Sequence, residues 1–144
     1  MNTETVFNAV IAGYYNTPLV TIIGDAAVVR EVQSFIPNVE GVVVKKGISR
    51  FSAVSIHPAK ARLLIYEGVK RGLERRMDIK PLKFDEPITM EIDFKDSNCA
   101  DTAELVPGVM RISPRTISFT GDGPTVFNLQ ELLIFRLIDE YNPL

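Results

Sequence analysis

The chain offers few residues with which to do chemistry. It holds one histidine, His57, and one cysteine, Cys99. Nucleophilic catalysis of the Ser-His or Cys-His kind needs a neighbouring base, and His57 is the one imidazole available. It stands directly before Pro58 at the expected start of a helix, where a capping or surface role accounts for it. A zinc site draws most of its ligands from His and Cys, and one of each, 42 positions apart, does not make a standard set. Carboxylates bind harder cations, but Glu91 and Asp93 fall on the polar side of an alternating strand, so solvation explains them. "GDGPT" lacks the GKS or GKT ending of a phosphate loop and the spacing of a dinucleotide fingerprint; it reads as a turn leading into a helix cap. Glu4 lies in the first turn of a helix, where its charge complements the helix dipole.

"VKKGISR" is the remaining candidate. Lys45, Ser49 and Arg50 directly follow an apolar strand, and ligands of open α/β sheets bind beyond the carboxyl ends of strands. A pocket lining and an ordinary polar loop with an ion-paired arginine both fit these residues.

The elements that must carry these groups follow from periodicity. Val6, Phe7, Val10, Ile11 and Tyr14 recur at helical spacing, giving a helix over Glu4–Tyr15 with Asn2 or Thr3 as its cap. Asn16-Thr17-Pro18 turns the chain into the strand Leu19–Ile23. Asp25 then caps a second helix that buries Val29, Val32 and Ile36 and stops at Pro37. Val42-Val43-Val44 is a short, wholly apolar strand. Runs of this kind belong to sheets covered on both faces. "KKGISRFSAVSI" shows no regular period. Pro58 opens a long helix to about Arg76, with Leu63, Leu64, Val69 and Leu73 expected to face inward.

Past the polar connector "DIKPLKFDEP" the period changes to two. Ile88, Met90, Ile92 and Phe94 alternate with polar residues, as in a half-buried antiparallel strand. "VMRI" and "TISFT" make a hairpin around Ser113-Pro114-Arg115, and a final helix runs from Thr125 to Tyr141. That helix is apolar nearly all round, through Leu129, Leu132, Leu133, Ile134, Phe135, Leu137 and Ile138, so it needs cover on several sides. The expectation is one α/β domain over residues 1–144: a mixed sheet with buried parallel strands and flanking helices, then a C-terminal antiparallel hairpin and an apolar helix.

Composition narrows the function. At 144 residues, 46% hydrophobic and 24% charged, the chain has the make-up of an ordinary globular protein. Its net charge of −2 comes from scattered residues, which gives no electrostatic footprint for nucleic acid. The basic cluster Lys70-Arg71 with Arg75-Arg76 falls late in a helix, where it complements the helix dipole. No apolar run reaches the roughly 20 residues of a membrane span, and no signal peptide is visible. With a single cysteine, a reducing cytoplasmic setting is expected.

Several stretches, taken together, resemble the C-terminal half of the metal-dependent D-aminopeptidase family. They are "ETVFNAVIAGYYNTPLVTIIGD", "IPNV", "VKKGISRFSAVSIHPAKARLL", "AELVPGVMRI" and "TISFTG", in the family's order and spacing. The resemblance covers nearly the whole chain from Glu4. It implies zinc-dependent hydrolysis of short peptides with N-terminal D-residues, and it places Glu4 on a glutamate that ligates the metal pair. A carboxylate on a rigid helix suits that duty. The resemblance also implies that Asn8, one turn after Glu4, faces the same cavity, though a backbone bond explains Asn8 equally well. Lys45, Ser49 and Arg50 would line the peptide site. The family's other ligands, an acidic pair and two histidines, belong to a preceding domain with no counterpart here, so zinc is expected only together with that N-terminal half. Two readings follow. The chain is one part of a split or truncated hydrolase, completed by a separate N-terminal or neighbouring-gene polypeptide. Alternatively, it is a non-catalytic assembly or small-molecule-binding module that keeps the fold. Homo-oligomers are expected from the apolar final helix and from the family's ring assemblies.

Overall fold

A computed structural model describes residues 4–133. The expected caps Asn2 and Thr3, and the final helix beyond Leu133, lie outside the described residues. The chain divides into two compact units, one ending at Lys83 and the other beginning at Phe84.

In the first unit, α1 (Glu4–Tyr14) leads to β1 (Thr21–Asp25), α2 (Ala26–Phe35), β2 (Glu40–Ser49), β3 (Ser52–Ser55) and α3 (Pro58–Glu74). The strand order is β1-β2-β3; β1 and β2 are parallel, while β2 and β3 are antiparallel. Asp25 caps α2 as the sequence indicates, its Oδ1 accepting the N–H groups of Ala27 at 2.7 Å and Val28 at 3.0 Å. The stripe Val29, Val32 and Ile36 is buried, in one core with Val6, Ala9, Ile22, Val39 and Ile79.

The glycines show which helix covers which face. A Cβ on Gly41 would meet Val29 of α2, and one on Gly24 would meet Val28. Thr21 Oγ1 and the Val42 side chain instead lie against Gly72 and Gly68 of α3. Successive strand residues face opposite ways, so α2 covers one side of the sheet and α3 the other.

Here the expected inward face of α3 is overturned at two of its four residues, while Leu64 and Val69 are half-buried. Leu63 is 60% exposed and Leu73 49%, while Gly68 and Gly72 are the buried residues of the helix. Their missing side chains let the helix backbone settle onto β1 and β2. A leucine at either position would hold it away. Arg71 and Arg75 then reach Glu40 at the start of β2, at 2.7 and 3.0 Å. α3 therefore runs against the direction of the parallel strands, and its N-terminus lies at the end where they finish.

"KKGISRFSAVSI" is also more regular than its sequence suggests. β2 continues through Ser49 and folds back as β3, pairing Lys45 with Ser55 and Gly47 with Ala53. Residues 45–55 are exposed on both faces of this arm.

In the second unit, β4 (Ile88–Asp93), β5 (Met110–Ser113) and β6 (Thr116–Gly121) form an antiparallel sheet in the order β4-β6-β5. The expected alternation of β4 and the β5–β6 hairpin are both present. The short helix α4 (Ser97–Ala103), capped by Asp96, went unread. α5 (Gly123–Glu131) begins in "GDGPT", with the Thr125 N–H donating to Asp122 Oδ1 at 2.9 Å and the Gly123 N–H donating to Glu86 Oε1 at 2.8 Å. That stretch is a helix cap. The core of this unit is Phe94, Ala100, Ala103, Val109, Ile117, Phe119, Val126 and Leu133.

Candidate functional site

Glu4 is the first residue of α1, and Asn8 follows one turn later; both are exposed. Val6, Ala9, Val10 and Gly13 form the buried side of the helix. At 3.6 residues per turn, Glu4 and Asn8 share the face turned away from the core. The far end of α1 is pinned. A Cβ on Gly13 would lie 1.8 Å from the backbone oxygen of Leu82, and Asn16, with φ 58°, turns the chain back. Lys83 Nζ donates to Asn16 Oδ1 at 2.6 Å. Asp78, a few residues before that stretch, accepts from Asn38 just ahead of β2. The end of α1 therefore sits where the parallel strands begin.

Asp25 and Lys45 meet at the opposite end, where the parallel strands finish, as partners across β1 and β2. The two helix N–H groups that Asp25 accepts hold its carboxyl below the usual carboxylate range, helped by the nearby charges of Lys45 and Arg30. A carboxylate so depressed stabilises the fold above the unfolded carboxyl pKa of about 3.9 and loses that contribution as pH falls through the folded value. Asp25→Ala is therefore expected to lower the thermal midpoint by a few degrees at neutral pH. The gap from wild type should close on acidification below about pH 4, as thermal melts monitored by circular dichroism would show.

Ser49 and Arg50 lie farther out, on the hairpin arm. Ser49 Oγ is 2.7 Å from Ser52 Oγ, and the Arg50 guanidinium stands over the Phe51 ring at 5.3 Å. Ser49 is four residues beyond Lys45, roughly 13 Å along an extended strand. The fold thus brings Asp25 and Lys45 together at the strand ends and carries Ser49 and Arg50 outward from them, while Glu4 stands apart on the exposed face of α1.

The remaining polar residues have structural duties. His57 caps α3, its Nδ1 accepting the Ala59 N–H at 3.2 Å. Asp93 accepts from Thr116 and faces Arg115 on the exposed side of β4. Cys99 sits half-buried in α4. Among the described residues no three His, Cys, Asp or Glu side chains come close enough to hold a metal. Sequence reasoning missed a groove of about 630 Å³ along α3, lined by Ile65, Tyr66, Val69 and Leu73. The spacing of Gly68 and Gly72 was the available signal, because it rotates the leucines away from the sheet.

A sequence model described as D-aminopeptidase matches residues 1–131. The chain belongs to the D-aminopeptidase family. It is 33% identical over 117 residues to the D-aminopeptidase of Bacillus subtilis strain 168, an alignment covering 81% of this chain and 43% of that protein. Its fold matches that of the Zn-dependent D-aminopeptidase DppA from Bacillus subtilis, a self-compartmentalizing protease. The TM-score is 0.83 at 29% identity, covering 92% of this chain and 51% of DppA. The chain thus spans about half the length of these D-aminopeptidases. The mixed α/β architecture expected from the sequence is the one observed, built among the described residues as two small sheets with five α-helices. No helix among the described residues is long and apolar enough to cross a membrane.

Proposed function

We propose that this chain is the part of a zinc-dependent D-aminopeptidase-like peptide hydrolase that contributes one metal ligand, Glu4, and part of the peptide pocket. The remaining donors would come from polypeptide outside the described residues. The observation that carries the reading is the position of Glu4. It heads a helix fixed to the core and stands on that helix's exposed face, within a chain of the D-aminopeptidase family. Zinc held at such a site would supply Lewis-acid polarisation of the peptide carbonyl and activation of water. This chain's own residues would bind and orient. Lys45 and Arg50 suit the carboxylate or carbonyl oxygens of a short peptide, with Ser49 and Asn8 as hydrogen-bonding neighbours. A homo-oligomer in the cytoplasm is part of the proposal, supported by the self-compartmentalizing habit of DppA.

The test is metal-dependent release of D-alanine from D-alanyl peptides. The chain is assayed alone and co-expressed with a neighbouring-gene polypeptide that carries acidic and histidine donors. Activity restricted to the co-expressed pair is expected, and inactivity of both preparations would reject the enzyme. A second reading, an assembly or small-molecule-binding module without chemistry, is favoured by the use of the single histidine as a helix cap. Inactivity in both preparations, with the complex still formed, would favour it.

A further inference from the structure

Charge is divided unevenly along the chain. Residues 1–83 hold twelve Lys and Arg against seven Asp and Glu, whereas residues 84–144 hold four against eleven. The cationic excess is densest between Gly41 and Tyr66, which bracket Lys45, Lys46, Arg50, Lys60 and Arg62 and no acid. The first three belong to the hairpin arm of β2 and β3. That arm is also apolar where it meets water: Phe51 is 91% exposed, Ile48 67% and Val54 59%. Lys46 stands opposite Val54 across the two strands, so they share a face. Lys45, the partner of Asp25, takes the other face. The face of Lys46 and Val54 has no part in the candidate site, and a lone two-stranded ribbon needs cover to be stable.

The second unit carries a surface of the opposite charge. Ile117 and Phe119 of β6 lie in its core, so alternation puts Ser118 on the outer face of the sheet. Glu91 of β4 and Met110 of β5 are the cross-strand partners of Ser118 and share that face. Asp93, two residues beyond Glu91, lies on it as well. Glu91, Asp93 and Met110 are all exposed. Asp93 is engaged by Arg115 at 3.7 Å. Lys46 on the arm and Glu91 on this face make no ion pair among the described residues.

We propose that the arm of one copy of this chain docks on the outer sheet face of the second unit in another copy. Lys46 meets Glu91, while Val54 and Phe51 pack against Met110. Opposite charges select the partner and its orientation, and the apolar side chains supply the area removed from water. Two arms docked on each other would set Lys46 against Lys46, which disfavours a two-fold contact through the arm. The contact is instead head-to-tail, each copy giving one arm and receiving another, the kind of contact that builds rings. This rests on the functional reading above, which includes a homo-oligomer, and adds the surfaces that make it.

The test follows self-association of the chain by sedimentation velocity. Lys46→Glu, Phe51→Ser and Glu91→Lys should each weaken it at least tenfold. Lys80→Glu, the same charge change at another exposed lysine of the first unit, should leave it unchanged. Mixing the Lys46→Glu and Glu91→Lys chains should restore assembly, because every contact between unlike copies again joins opposite charges. A chain that stays monomeric overturns the proposal, as does association indifferent to the three substitutions. So does a mixture that assembles no better than either variant alone. Assembly through these residues, without D-alanyl peptide hydrolysis by the chain and its co-expressed partner, sinks the functional reading and leaves the interface standing. An active preparation in which the chain never self-associates does the reverse.

Discussion

Glu4→Gln is expected to lower D-alanyl peptide hydrolysis by the completed enzyme at least 100-fold, beyond the 10- to 100-fold typical of residues that merely support a ligand. The change keeps size and polarity and removes the charge that a divalent cation requires. Glu4 is exposed and is not a member of the apolar core, so the fold should survive, with a melting midpoint within a few degrees of wild type. Two readouts separate ligation from a structural role. Zinc content of the complex should fall with activity, and raised zinc in the assay should restore part of the rate. Full activity with full zinc content would show that Glu4 is a helix-end charge and no more. Asn8→Ala, one turn along, should raise KM more than it lowers kcat if the amide contacts substrate.

Gly13→Ala should be the most damaging single-methyl change in the first unit. A Cβ there would sit 1.8 Å from the oxygen, 2.7 Å from the carbonyl carbon and 3.1 Å from the nitrogen of Leu82. All three are backbone atoms, which cannot swing aside as a side chain can. The helix preference of alanine returns about 1 kcal/mol, against about 1–3 kcal/mol or more for a forced shift in a packed region. Net loss is expected, read as a lower urea midpoint at unchanged slope. Because α1 carries Glu4, the same substitution should also lower activity in preparations that remain folded. A stability equal to wild type would mean that the Leu82 stretch moves freely and does not fix α1.

Legibility in the sequence tracked how local the cause was. Asp25 announced itself as a cap because the helix N–H groups it accepts lie two and three residues away. β4 and the β5–β6 hairpin were readable because period-two patterning and a turn are local features. α3 was misread at Leu63 and Leu73, which looked like part of a core stripe, while the closest contact with the sheet was made by two glycines that carry no hydropathy signal. The arm of residues 45–55 has no period because neither face is buried. α4, "SNCADTA", is too short and too polar to show one. At the site, only the family resemblance singled out Glu4 from other helix-end carboxylates. The clasp of Glu40 by Arg71 and Arg75 spans 31 and 35 positions, and nothing in the sequence joins those three residues.

The unequal lengths of β1 and β2 have a consequence for motion. β1 gives out at Asp25, opposite Lys45, so everything beyond Lys45 is a ribbon held by its own rungs. A lone two-stranded ribbon is marginal in water, and a segment with little buried apolar area opens at a small fraction of the global unfolding cost. Lys45 is thus a hinge line between a slow-breathing sheet and a fast-breathing arm. Ser49 and Arg50 ride on the fast side, and any grip they take on a peptide would be made and broken without disturbing the Asp25 carboxylate at the end of β1.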